Sequence, residues 1–372
     1  MRSSRSSLLS LGLVAVVGAL LAIVPLPAAP PAAARASAAP EPPRAGSSIT
    51  PQLVPVRGAA VESIGNAGLY IAMDKGYFAE QGLDVDLGRF GGTDAYMASL
   101  ATGELDFGTT DINAGLFNIM ARGIDIRFVA DRGSTPPGQG WIGWMVRTDL
   151  ADQIRDYGDL RGRRIAIGYE GAYQHPQVAR SLERAGLTLR DVDLVVVPIV
   201  ESNPALANGA IDATIGLEPF NTVAVNQGFA VRWRGMDELV PNSQVVILTY
   251  SQRFAGQRDV AQRWMTAYLK GVRDYNTALR RGPNRAEIVE ILTRQTPLKD
   301  ASLWEQEPRA TAPSGVIWPA IDPDGRINLA SVRADLDWFV REGMVRTPVD
   351  LSHYVDTSFA EAAAAQLGPY AR

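Results

Sequence analysis

Between Gly65 and Asp111 the chain alternates twice between helical and strand spacing, and each change falls on a short polar loop. Leu69, Ala72 and Met73 recur at i, i+3, i+4 and define one buried helix face, which Lys75-Gly76 closes. Leu83, Val85 and Leu87 then alternate with Asp84, Asp86 and Gly88 as a strand. Gly91-Gly92-Thr93 opens a helix over Asp94 to Thr102, Leu105 to Gly108 is the next strand, and Thr109-Thr110-Asp111 leads into a helix over Asn113 to Arg122. Strands separated by helices predict an α/β fold with a parallel sheet, and such sheets bind ligands in the crevice beyond the carboxyl ends of their strands. The loops of this stretch therefore converge on one rim.

The pattern starts one strand earlier, at Val56 to Val61, and adds a fourth strand at Ile124 to Ala130, with Asp131-Arg132-Gly133-Ser134 expected at its rim end. It recurs in shorter form further on. Ile165 to Ile167 is a strand, Gly168 to Tyr173 a loop, and Pro176 to Ala185 a helix. Val192 to Val197 reads as a buried strand from its continuous apolar run. Ile211 to Ile215 ends in Gly216-Leu217-Glu218-Pro219, which puts an acid on the second rim. After a strand over Val245 to Tyr250 the chain turns helical, and Trp264, Tyr268 and Val272, four apart, read as core. A chain of 372 residues exceeds what one core usually fills. Two lobes are expected: residues 56–147 for the first, 148–243 for the second, and 244–372 returning to the first. The crossings, near Arg147 to Ala151 and Pro241 to Gln244, make a hinge.

Ahead of the first lobe, Arg2 and Arg5 precede an apolar run over Leu8 to Leu26 and Ala-x-Ala patterns at Ala32 to Ala34 and Ala36 to Ala38. Residues 1–38 thus have the layout of a secretory signal peptide cleaved near residues 34–38, and 39–55 form a Pro/Ala-rich lead. The other reading of the same run is a retained membrane anchor. Either way the protein is exported, to the periplasm or the outer face of the cytoplasmic membrane.

Composition narrows the chemistry. There is no cysteine and only two histidines, His175 and His353, which disfavours disulfides, thiolate nucleophiles and thiolate or His-based metal sites; no cofactor is expected. No Gly-x-Ser-x-Gly elbow is present, so a hydrolase lacks its usual nucleophile and catalytic residues are expected to be none. Removing the first 38 residues with their three arginines takes the formal charge from −4 to −7, and no basic stripe remains for nucleic acid.

Gly68-Leu69-Tyr70-Ile71-Ala72-Met73-Asp74-Lys75-Gly76-Tyr77-Phe78 followed by Gly82-Leu83-Asp84-Val85 carries a recognisable motif. With Leu100 to Gly108 and Gly209 to Ala213 leading to Glu218-Pro219, it resembles the solute-binding family of ABC importers for sulfonates, taurine, nitrate and thiamine-precursor pyrimidines. The resemblance implies a type II periplasmic-binding-protein fold, two α/β lobes joined by two hinge crossings. It also implies a monomer that shuts on a small-molecule ligand and delivers it to a permease with its ATPase. Enzymes of this fold that make a thiamine pyrimidine depend on a cysteine cluster, which this chain lacks.

Carried onto this chain, the family's binding loops present Asn66, then Gly92 and Thr93, then Thr110 and Asp111; the second lobe presents Glu170, Gly171, Tyr173 and Glu218. Gly91-Gly92-Thr93 reads either as a ligand-facing helix start or as a turn with its cap. Ser134 extends the first rim, Trp141 and Tyr173 offer flat faces, and His175 either donates to a ligand or is a solvated helix-start residue. Asp74, Lys75 and Tyr77 lie at the far end of their helix and are expected to be structural. Three carboxylates, Asp111, Glu170 and Glu218, near one cleft would oppose an anion. That balance favours a nitrogenous heteroaromatic ligand, with an organic anion such as a sulfonate, taurine, nitrate or an aromatic acid as the alternative. A membrane-anchored ligand-sensing module is the second alternative.

Overall fold

Short apolar runs bounded by glycine form ten strands in the computed structural model, which describes residues 52–371 apart from 62, 91–93 and 348. Residues 1–38 and most of the lead lie outside the described residues, as do Gly92 and Thr93. The strands are β1 (Val54–Val61), β2 (Leu83–Phe90), β3 (Phe107–Asp111), β4 (Ile126–Thr135), β5 (Ile142–Arg147), β6 (Arg164–Ile167), β7 (Asp193–Val196), β8 (Ala213–Leu217), β9 (Ala230–Gly235) and β10 (Ser243–Ser251). They form two five-stranded sheets, ordered β2-β1-β3-β10-β4 and β7-β6-β8-β5-β9. The expected α/β class holds.

The two sheets share one plan. In the first, β1 pairs in parallel with β2 and β3, and β10 runs antiparallel between β3 and β4. In the second, β6 pairs in parallel with β7 and β8, and β5 runs antiparallel between β8 and β9. Each sheet thus receives its one antiparallel strand directly after the chain leaves the other sheet. The first crossing therefore lies between Thr135 and Ile142, ahead of the expected Arg147 to Ala151. The poorly alternating run Trp141 to Val146, expected as the strand leaving the first lobe, is buried throughout because β5 is interior to the second sheet.

Other differences have local causes. Strand β4 continues through Asp131 to Thr135, because β10 pairs along its whole length, so those residues are strand and not rim loop. Strand β7 is an edge and half-exposed, with Val196 58% exposed; its apolar run does not mark an interior position.

Helices cover the first sheet through a cluster that includes Trp264, Tyr268 and Val272, all buried, with the first two rings stacked at 5.5 Å. Burying each such side chain contributes about 1.5–3 kcal/mol. The motif glycine Gly68 is explained by the close approach of two helices, Ala67–Asp74 and Arg258–Leu279: a Cβ on Gly68 would lie 2.4 Å from Val272 Cγ2, and one on Gly271 2.2 Å from the Gly68 carbonyl oxygen. The rest of the motif is structural. Asp74 takes both carboxylate oxygens to Arg294, Lys75 pairs with Asp274 and Glu287, and the Tyr77 hydroxyl donates to Asp274.

Past Trp304 the chain has no helix until Leu329. Trp304 and Trp318 pack against each other at 5.4 Å beside Tyr275, while the residues between them reach the second sheet, where the Arg232 N–H donates to the Ala310 carbonyl over 2.9 Å. This segment is a strap between the helices of one sheet and the edge of the other.

Candidate functional site

The carboxyl ends of β1, β3, β6, β7 and β8 open on a cavity of about 120 Å³ between the two sheets. From the first sheet it is lined by Val61, Ser63, Asp111, Arg132, Val245 and Val246. From the second come Trp141 and Ile142 of the crossing, Gly168, Tyr169, Tyr173 and Gln174 of the β6 loop, Pro198, Ile199, Leu217 and Phe220. Apolar and aromatic groups dominate. The position is the one expected for an α/β sheet, a crevice at strand ends.

Arg132 is the charged feature of the first-sheet wall. It is 3% exposed, Nη1 donates to the Asn66 side-chain oxygen over 2.5 Å, and Nε has no partner. Burial pulls its guanidinium below the usual arginine range, against the opposing influence of Tyr96, Tyr268, Tyr70 and Asp111. Among the described residues no carboxylate stands within ion-pair distance of it. Asn66 is committed to this arginine, since its Nδ2 donates to the Val61 carbonyl at 2.7 Å and the Tyr70 hydroxyl at 3.2 Å. It supports the wall from behind and does not line the cavity.

Asp111 ends β3 at the mouth. Its Oδ1 accepts from Asn113 over 3.1 Å, and its Oδ2 accepts from the Tyr169 hydroxyl, a hydrogen bond that joins the two sheets. A second cross-sheet bond runs from the Ala114 N–H to the Gly171 carbonyl over 2.9 Å. Gly171 adopts φ +80, and a Cβ there would stand 2.8 Å from the Ala114 Cβ, so the tight approach needs glycine on both counts. A third link is an ion pair at 2.6 Å between Arg180 and the buried Asp335.

On the second-sheet wall, Tyr173 and Gln174 are 7% and 2% exposed, and the Tyr173 hydroxyl and Gln174 Oε1 have no hydrogen-bond partner. Burial, then the Asp111 charge, pushes the Tyr173 hydroxyl far above the usual tyrosine pKa, so it stays protonated. Trp141 is fully buried, with its indole N–H donated to the Ser134 carbonyl at 2.7 Å and the ring lining the cavity.

Of the residues expected at the site, Asp111, Trp141 and Tyr173 meet in this cavity. Gly92 and Thr93 lie outside the described residues, and the remaining ones do not line it. Thr110 is buried inside β3, its hydroxyl turned to the Asp111 carbonyl. Ser134 lies within β4 and lines a separate cavity with Pro136 and Asn242. Glu170 is exposed. His175 is 4% exposed and so not solvated, its Nδ1 accepts the Gly171 N–H over 3.1 Å, which leaves the proton on Nε2, and it does not line the cavity; burial lowers its pKa against the pull of Glu170. Glu218 is fully buried and turned away from the cavity: Oε1 pairs with Arg232 at 2.5 Å and Oε2 accepts the Thr222 hydroxyl at 2.7 Å. Its acid position before proline looks like a rim residue in sequence, but a neutralising arginine fourteen residues later claims it.

Tyr169 and Gln174 are absent from the expected set, and Arg132 was expected on the rim but not among the ligand-binding residues. Arg132 had a signal, an arginine directly following the apolar run Ile126 to Ala130. Tyr169 and Gln174 flank the residues expected in the same loop and carry no distinguishing pattern.

Comparisons with known proteins agree with this architecture. The family model described as NMT1/THI5 like matches residues 64–277. A relative from Brucella abortus (strain 2308), named only as a binding protein, is 24% identical over 310 residues, 81% of this chain and 90% of that one. The alkanesulfonate-binding protein of Xanthomonas axonopodis pv. citri, solved bound to MOPS, superposes with a TM-score of 0.62 at 19% identity over 82% of this chain and 99% of that one. The periplasmic nitrate-binding protein of Synechocystis PCC 6803 gives 0.69 at 14% identity, covering 85% and 90%. The chain has the periplasmic-binding-protein fold that these structures share.

Proposed function

This chain belongs to the NMT1/THI5-like family, and on that premise we propose that it is an exported solute-binding protein of an ABC importer, binding a small organic anion. Its two sheets with their helices act as lobes that close on the ligand and present it to a permease. The loops between Thr135 and Ile142 and between Gly235 and Ser243 serve as hinges.

The observation that carries the choice of an anion is Arg132, a buried guanidinium in the cavity wall with one amide for a partner. A buried charge without a counter-charge is costly, and an anion in the cavity would neutralise it. The argument for a nitrogenous ligand rested on three converging carboxylates. Only Asp111 lines the cavity, and it is already engaged by Tyr169 and Asn113; Glu170 is exposed and Glu218 is paired with Arg232. The electrostatic objection to an anion is thereby reduced to one hydrogen-bonded carboxylate. That solved relatives of this fold bind MOPS and nitrate supports the same choice.

The test is calorimetric titration with MOPS, benzoate, benzenesulfonate and an aminopyrimidine. At least one anion is expected to bind, and Arg132→Met to weaken it about hundredfold, the loss of a desolvated charged hydrogen bond worth about 2.7 kcal/mol. Binding of the aminopyrimidine alone, or anion binding indifferent to Arg132→Met, would overturn the reading.

A further inference from the structure

Two buried polar atoms on the second-sheet wall find no partner among the described residues, and the side chains that carry them line the cavity that Arg132 also lines. The Tyr173 hydroxyl and Gln174 Oε1 belong to side chains more than nine-tenths buried. Buried polar atoms are nearly always hydrogen-bonded, so adjacent orphans in one cavity wall indicate a group that arrives with the ligand. Their chemistry specifies that group. Gln174 Oε1 can only accept, and the Tyr173 hydroxyl, kept protonated by burial and by Asp111, is available to donate. A hydroxyl satisfies both at once, because it donates one hydrogen bond and accepts another.

The wall around these atoms is flat and apolar. Trp141, Tyr169, Tyr173 and Phe220 line the cavity with Ile199 and Leu217, a surface that suits a ring. Arg132, on the opposite sheet, offers its unpartnered Nε–H to an acid oxygen. We propose that the ligand is a hydroxylated aromatic acid, with its acid group on Arg132 and its ring hydroxyl read by Tyr173 and Gln174. This rests on the anion reading above and narrows it: the first sheet supplies charge, the second supplies selectivity.

Matched acids separate the two claims. Calorimetric titration of the full chain would compare benzoate with 4-hydroxybenzoate, and benzenesulfonate with 4-hydroxybenzenesulfonate, with MOPS, whose ring is saturated and carries no hydroxyl, as a non-aromatic control. Sites built to hydrogen-bond a hydroxyl discriminate strongly against analogues that lack it, so at least one hydroxylated acid is expected to bind about tenfold or more tighter than its parent. Gln174→Leu and, separately, Tyr173→Phe should cut that preference to about threefold or less, the loss falling mainly on the hydroxylated acid, whereas loss of packing alone would weaken both members of a pair alike. Equal affinities within both pairs in the unaltered protein overturn the inference and leave the anion reading intact. So does binding of MOPS with no binding of any aromatic acid. No binding of any of the five anions overturns both. The comparison within the unaltered protein decides the matter even where a variant folds poorly.

Discussion

Two arginines, one in each sheet, have opposite surroundings: Arg132 is buried and the Arg232 side chain is 12% exposed. Arg232 in β9 places its terminal nitrogens on the Glu218 carboxylate, the Thr222 and Ser314 hydroxyls and the Arg309 carbonyl. Arg132 in β4 reaches one amide oxygen. Both leave Nε unpartnered, so the contrast lies in the counter-charge. A guanidinium surrounded by a carboxylate and strap carbonyls is scaffold, fixing the strap to the second sheet. A guanidinium propped from behind by a single asparagine is held in position and left electrically incomplete, which is the state an anion site requires.

The contrast breaks most readily at the scaffold pair. Glu218→Ala strands Arg232 without its counter-charge and should cost about 3–5 kcal/mol, read as a shift in the urea midpoint. An unchanged midpoint would mean that the pair holds nothing together. Asp131, next to Arg132 in β4, tests a second buried charge that has hydrogen bonds and no ion pair. Burial pushes its carboxyl from the ordinary 3.8 to about 7, against donors from Asp322, Gln244 and Gly133. A folded pKa above the unfolded one means that the native state holds the extra proton. The stabilisation is therefore complete below about pH 4 and is lost as pH rises through about 7, by on the order of 4 kcal/mol. Urea titrations stepped from pH 4 to 8 should show this decline, and Asp131→Asn should flatten it. A slope that survives the substitution belongs to another group.

Arg132→Met sharpens the contrast from the other side. It should abolish most anion binding yet leave the unliganded protein as stable as before, or more so, since an apolar side chain replaces an uncompensated charge. A destabilisation like that of Glu218→Ala would make Arg132 scaffold too. The smallest effect is expected at the cross-sheet bond. Tyr169→Phe removes one hydrogen bond to Asp111, worth about 1 kcal/mol, and should weaken anion affinity roughly fivefold by favouring separated sheets. Unaltered affinity would show that this bond does not contribute to closure.

The fold was largely legible because alternating strands and helices write their period into local sequence, and the helix Asp94–Thr102 occurs at the bounds expected of it. Membership of sheets was less so. That β5 belongs to the second sheet depends on pairing with β8 and β9, residues about 70 to 90 positions away, and no local pattern encodes it. The site divided along the same line. Asp111, Trp141 and Tyr173 sit where strand ends predict, whereas the fates of Glu218 and His175 were decided by partners, Arg232 and the Gly171 N–H, that sequence spacing alone does not reveal. A carboxylate at a strand end is a rim residue only if nothing nearer neutralises it.

The position of β10 has a consequence for how the molecule is made. It lies in the interior of the first sheet, between β3 and β4, although the chain reaches it only after completing every strand of the second. A nascent chain that has not yet reached Ser243 can pair β5 to β9 among themselves, since these run consecutively, while β3 and β4 wait with unpaired edges. Synthesis begins with the first sheet, but the second is finished first. Arg132, on one of the waiting strands, takes its place in the wall only when the late strand arrives, so the cavity cannot be complete before Ser243 to Ser251 has been made.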